Sequence, residues 1–238
     1  ALVLIGGVNY YNGPVFDIKT ITQAAKQTGA MVGWDLAHAA GNIPLELHNW
    51  EVDFAAWCSY KYMNSGPGNA SGVFINEKYH NRKDIPRFEG WWGTKKETRF
   101  QMKPEFEPME NADAWQISNS AVMTMAPYLA SLEMFEEVGM QALHTKSKTL
   151  TAYLEFILDD INIKRNQKKT IEIITPKDRG CQLSLFVHGK GRELFDYLME
   201  NGVIVDWREP NVIRLAPVPF YNSFEDLYEF GQILKAGI

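Results

Sequence analysis

Asp35 and Lys61 are the two residues of this 238-residue chain whose types and setting most directly suggest chemistry. Ala30–Trp34 (AMVGW) reads as a buried strand with Asp35 at its carboxyl end. Phe54–Cys58 (FAAWC) reads as a second strand, followed by Ser59-Tyr60-Lys61. In an open α/β sheet, parallel strands deliver their carboxyl ends to one crevice, where ligands bind. An amine that can condense with an aldehyde, facing a carboxylate that can keep a ring nitrogen protonated, is the pair pyridoxal 5'-phosphate requires.

Each residue alone has an ordinary reading. A lysine after a strand is normally solvated, and an aspartate at a strand end is normally a turn or cap carboxylate. Facing a desolvated crevice, the Lys61 amine would lose protonation more readily and condense with carbonyls. His38, in DLAHAAGN, could support the Asp35 carboxylate or stack beside a ring. Tyr60 could bond a phosphate or relay a proton. Trp91, in GWWG, offers an indole N–H, a donor only. Asn119, in WQISNS, is expected to open a long helix, where a helix start can bind anions. Arg214, in the apolar run NVIRLAP, needs an anion: a ligand carboxylate held bidentately, or a structural acid.

The elements that would hold these residues follow from periodicity and punctuation. Asp17 is expected to cap a helix over Ile18–Thr28 that Gly29 stops. That helix lies between the strands Ala1–Ile5 and Ala30–Trp34, a strand–helix–strand unit that suggests a parallel sheet. Asp53–Ser59 and Gly72–Asn76 add strands, linked by the turn-rich Asn64–Gly68. Residues 80 to 118 read as long irregular loops, which in a compact domain are usually functional. Helical spacing returns over Ala121–Val138, is interrupted by Gly139, and resumes over Met140–Leu158. Beyond about 160, strands are expected at Ile171–Thr175, Gln182–Val187, Val203–Asp206 and Val212–Leu215, with helices at Glu193–Glu200 and Phe224–Ala236. The expected fold is therefore α/β. Residues 1–138 form part of a large domain with a mostly parallel sheet, and residues 139–238 form a linking helix and a small α+β domain.

Composition narrows the function classes. The chain is 45% hydrophobic with a formal charge of -5, which argues against nucleic-acid partners. Cys58 and Cys181 make no CxxC pattern and sit in apolar runs, so buried free thiols are expected and no metal site. No apolar stretch approaches a membrane span. Ala1–Ile5 begins without Met and reads as a core strand entered midway, so an amino-terminal part of a larger protein is expected to be missing.

Taken together, DLAHAAGN, CSYKYMNSGPG, GWWGT, WQISNS and IRLAPVPFYNS resemble the corresponding stretches of the kynureninase family. These are fold-type I pyridoxal-phosphate enzymes of the aminotransferase class V group. The resemblance spans the chain in order but covers only the carboxyl-terminal half or so of the family's enzyme. It implies that Lys61 carries the cofactor, that Asp35 pairs with the pyridine nitrogen beside His38, and that Tyr60 contacts the phosphate. It further implies that Trp91 and Asn119 act across a homodimer interface and that Arg214 holds the substrate carboxylate. The implied activity is hydrolysis of L-kynurenine or 3-hydroxy-L-kynurenine to anthranilate or its hydroxy form and L-alanine. The implied setting is the cytoplasm, in tryptophan degradation and NAD biosynthesis. Alternatives are a cysteine desulfurase or aminotransferase of the same superfamily, or an inactive dimerising fragment.

Overall fold

The computed structural model describes residues 1–164 and 170–238. Two compact units divide the chain: residues 1–7, 17–40 and 45–134 in one, and 8–16, 41–44 and 135–238 in the other.

The first unit is built on a four-stranded sheet in the order β1-β2-β3-β4. β1 (Leu2–Gly6), β2 (Met31–Asp35) and β3 (Phe54–Cys58) run parallel, and β4 (Ser71–Ile75) returns antiparallel to β3. The expected strands are all present, displaced by a residue or so at their ends. α1 (Ile18–Gln27) joins β1 to β2, and Asp17 caps it by accepting from Thr20 N. Its buried stripe meets β2, where the fully buried Trp34 donates its indole N–H to Thr22 Oγ1 at 2.9 Å. Gly33 is needed beside β3, because a Cβ there would fall 2.2 Å from the Phe54 ring.

Residues 76 to 121 contain short 3-10 turns and one isolated bridge, Thr94 to Pro108, as the weak periodicity suggests. α2 spans Val122–Val138. Asn119 therefore precedes the helix by three residues instead of opening it, a correction to the reading from sequence.

In the second unit, α3 (Met140–Lys164), α4 (Gly191–Glu200) and α5 (Phe224–Gly237) accompany an antiparallel sheet. The sheet has the order β5-β6-β8-β7. Its strands are β5 (Ile171–Ile173), β6 (Leu183–Val187), β7 (Asp206–Arg208) and β8 (Val212–Leu215). One strand was misread: pairing begins at Asp206, and residues 203 to 205 are not in it. Leu150, Leu154, Leu183, Ile213 and Leu234 are among the buried side chains of one continuous core. A capping box at Ser223 and Asp226 starts α5.

Candidate active site

β2 and β3 are neighbours in parallel, with Asp35 opposite Ala56. Asp35 and the residues after Cys58 therefore leave the sheet at the same edge. Asp35 is exposed there, with one carboxylate oxygen accepting from Ala37 N at 2.8 Å. Among the described residues, that leaves the second oxygen for an external donor. Backbone bonds fix the strand end, since Gly7 N donates to Asp35 O and Leu36 N to Ala56 O, both at 2.8 Å.

The Lys61 loop is closed by a serine pair. Ser59 is fully buried and donates to Ala70 O, and Ser65 Oγ donates to Ser59 Oγ at 2.7 Å. Ser65 N also donates to Ser59 O at 3.3 Å. Asn69 Nδ2 bonds Ser65 O at 2.9 Å, so the carboxyl end of β3 and the entry to β4 are tied together around the loop. Within it, Asn64 takes a positive φ of 54°, and Gly66 and Gly68 take 88° and 74°. These are left-handed positions that suit Asn and Gly, which explains the composition of Asn64–Gly68. Met63 is held from α2 by Ser131 Oγ, which donates to its carbonyl, and by Tyr128 OH, 3.5 Å from its sulfur.

His38 and the Lys61 loop are in direct contact. The His38 ring meets the buried Tyr62 ring edge-on at 5.8 Å. Lys61 Nζ lies 5.7 Å from the Tyr60 ring centre and enters no ion pair among the described residues. Tyr60 is half exposed. This donor set fits pyridoxal phosphate: an amine without a competing carboxylate, an acid with an open oxygen, and a phenol and an imidazole around the same edge.

Trp91 and Asn119 lie on segments that the structure brings together. Gly90 has no room for a side chain, because a Cβ would fall 2.1 Å from the Ile117 carbonyl. At Gly93 a Cβ would fall 2.8 Å from Ala114 O. The Gly90–Gly93 turn thus lies flat on the backbone that leads to Asn119. Trp91 is half exposed and meets Trp92 and Phe100 at 5.3 and 5.8 Å. Arg99 stacks on Trp92 at 4.3 Å and donates to its carbonyl at 2.6 Å. Asn119 is exposed, and its side-chain oxygen accepts from Ser118 Oγ at 3.2 Å. Among the described residues, no hydrogen bond or ring contact joins Trp91 or Asn119 to Asp35, Tyr60 or Lys61.

Arg214 lies on β8 of the second unit. It forms an ion pair with Asp206 on β7 and donates to the carbonyl of Tyr10. The sequence left open whether its anion was a ligand or an acid of the chain, and Asp206 is such an acid. Asp206 was missed from sequence, as were Ser59, Ser65 and Tyr62. The hydroxyl residues flanking the Asn64–Gly68 turn were the available signal for the serine pair.

Both cysteines are free thiols. Cys181 is fully buried, and burial pushes its pKa up to about 12. Cys58 is partly buried, with its sulfur 3.8 Å from Ala37 O.

Comparison with known proteins gives one consistent result. The profile described as kynureninase C-terminal domain matches residues 143–234. Kynureninases from Christiangramia forsetii and Flavobacterium johnsoniae are 70% and 68% identical over all of this chain. The chain spans about half the length of these curated relatives, 56% in each case. Among solved structures, the apo cysteine desulfurase of Thermococcus onnurineus aligns with a TM-score of 0.76. It is 17% identical, and the match covers 99% of this chain and 59% of that one. The alanine–glyoxylate aminotransferase of a Nostoc species has a TM-score of 0.75 at 16% identity, covering 100% and 61%. At such identities these structures speak for the fold, that of fold-type I pyridoxal-phosphate enzymes.

Proposed function

For a chain that is kynureninase-family sequence from end to end, corresponding to about the carboxyl-terminal half of its relatives, we propose the larger part of a kynureninase active site. The reaction is hydrolysis of L-kynurenine or its 3-hydroxy form to the matching anthranilate and L-alanine. The observation that carries this reading is the pairing of β2 and β3, which sends Asp35 and Tyr60-Lys61 out of one sheet edge. When bound, pyridoxal phosphate supplies an aldehyde that condenses with an amine and a ring that withdraws electrons from the bond being broken.

The chain's own residues have separable tasks. The Lys61 amine would hold the cofactor, and the same amine would serve as the base for the proton on the substrate Cα. The Asp35 carboxylate holds a proton on the pyridine nitrogen through a charge-assisted bond. His38, seated against Tyr62, backs that carboxylate. The Tyr60 hydroxyl donates to the phosphate and can pass a proton to the departing group. Arg214 grips the substrate carboxylate, which fixes the orientation of the bond to be broken.

Trp91 and Asn119 complete the site of a second copy in a homodimer. Phe88, Phe100, Met102 and Met123 are each at least three-quarters exposed in one chain, apolar side chains of the kind that subunits cover. No helix among the described residues is long and apolar enough to cross a membrane. We assign the enzyme to the cytoplasm.

A desulfurase reading needs a reactive thiol on a polar loop, whereas Cys181 is fully buried and Cys58 ends strand β3, partly buried. The deciding assay uses the complete enzyme containing this chain, loaded with pyridoxal phosphate and offered L-kynurenine, 3-hydroxy-L-kynurenine and L-cysteine. Release of L-alanine with the aryl acid supports the proposal. Sulfur release from cysteine without either product would overturn it.

A further inference from the structure

Arg214 is one of three charges in a row. β7 and β8 pair with Asp206 opposite Arg214 and Arg208 opposite Val212. Alternation along β7 puts Asp206 and Arg208 on one face, and cross-strand pairing puts Arg214 on the same face. Both guanidiniums reach one oxygen. Asp206 Oδ2 lies 2.9 Å from Arg208 Nη2 and is also bonded by Arg214 Nη2. The next acid, Glu209, instead accepts from Trp207 Nε1 at 2.9 Å. Among the described residues, the ion-paired cluster therefore holds two cations and one anion.

A second observation points the same way. Arg208 Nε is shielded from solvent and has no hydrogen-bond partner among the described residues, although its neighbour Nη1 donates to Trp207 O at 3.1 Å. On the far side of Arg214, Ser184 of β6 stands opposite it and is committed to Tyr11 O. The Tyr10 carbonyl takes the Arg214 Nη1 donor. Neutral groups flank the cluster there, and none offsets its charge.

We propose that Arg208 is a specificity residue for a ligand α-carboxylate. By sharing Asp206, it leaves the Arg208–Asp206–Arg214 cluster with one uncompensated positive charge, which the carboxylate fills at Arg214. This rests on the reading of Arg214 given above. Without Arg208, Asp206 would neutralise Arg214 alone, and an incoming carboxylate would meet a closed ion pair. Asp206 keeps Arg214 in one orientation, and Arg208 keeps it electrostatically available.

The test uses the complete holoenzyme, with KM for L-kynurenine and calorimetric titration of L-alanine against L-alaninamide, which lacks the carboxylate. Arg208→Gln is expected to raise KM about tenfold with kcat little changed, the size expected for one charge-assisted contact. L-Alanine binding should weaken by a similar factor and L-alaninamide binding should not. Arg208→Lys, which keeps the charge, should retain most of the affinity. Adding Asp206→Asn to Arg208→Gln restores the net charge and should bring KM back toward the wild-type value. The inference is overturned if Arg208→Gln lowers only the melting temperature. It is equally overturned if its KM defect persists in the double variant. Arg214→Gln separates the two levels. No change in KM or L-alanine binding there means the reading of Arg214 fails. A defect there without one in Arg208→Gln means only the present inference fails.

Discussion

Ser65 donates to the hydroxyl of the buried Ser59 at 2.7 Å, a side-chain bond that spans the loop carrying Lys61. Ser59→Ala would leave the Ser65 hydroxyl and the Ala70 carbonyl without their partner in a dry setting. Such orphaned groups cost about 1–3 kcal/mol. We expect a loss of that size in unfolding free energy, together with weaker pyridoxal-phosphate retention on dialysis. Unchanged stability and retention would remove the pair from the list of groups that position Lys61.

Asp53 should control acid stability. It is almost fully buried and accepts from Val32 N at 2.7 Å and Tyr79 OH at 2.9 Å, with Lys26 at 3.4 Å and Lys78 closer. Burial pushes its pKa up, but the bonds from Lys78, Val32 and Tyr79 outweigh this and hold it below the ordinary value. A depressed folded pKa gives stability that is present above the unfolded value, about 3.9, and lost as pH falls through the folded one. Asp53→Asn should cost about 3 kcal/mol at neutral pH, because two ammonium groups lose their anion. The difference from wild type should shrink in denaturant titrations as the pH falls from the unfolded value through the folded one. A pH-independent difference would contradict the assignment.

How much of this was legible in sequence depends on range. Asp17 as a cap, the β1–α1–β2 unit and the tight Asn64–Gly68 turn follow from local rules, and the structure has each of them. Asp206 opposite Arg214 depends on register across a turn, which no periodicity fixes. The same blindness shifted β7, where Val203 and Val205 look like strand residues but the pairing starts at Asp206. WQISNS offers helix caps at several positions, and only the backbone of α2 shows that the helix begins at Val122, three residues past Asn119.

Asp35 should act through charge. Asp35→Asn preserves shape and the bond from Ala37 N, but it no longer holds a proton on a ring nitrogen. The expected outcome is retained cofactor and a kcat lower by about a hundredfold, the equivalent of a charge-assisted contact of a few kcal/mol. Steady-state kinetics on the loaded variant checks it, and a near-normal kcat would reject the role.

The homodimer should share its sites. Lys61→Ala and Trp91→Ala proteins, each severely impaired, should regain part of the activity when mixed under conditions of proven subunit exchange. Hybrids would then pair an intact Lys61 with an intact Trp91. No recovery would argue that Trp91 serves its own chain.

The most direct measurement is chemical. The complete enzyme, loaded with pyridoxal phosphate, is reduced with borohydride, digested, and its peptides are mapped by mass spectrometry. The pyridoxyl group is expected on Lys61, within the peptide that follows β3. A label on Lys26, Lys78 or any other lysine, with Lys61 unmodified, would contradict the account of this site at its centre.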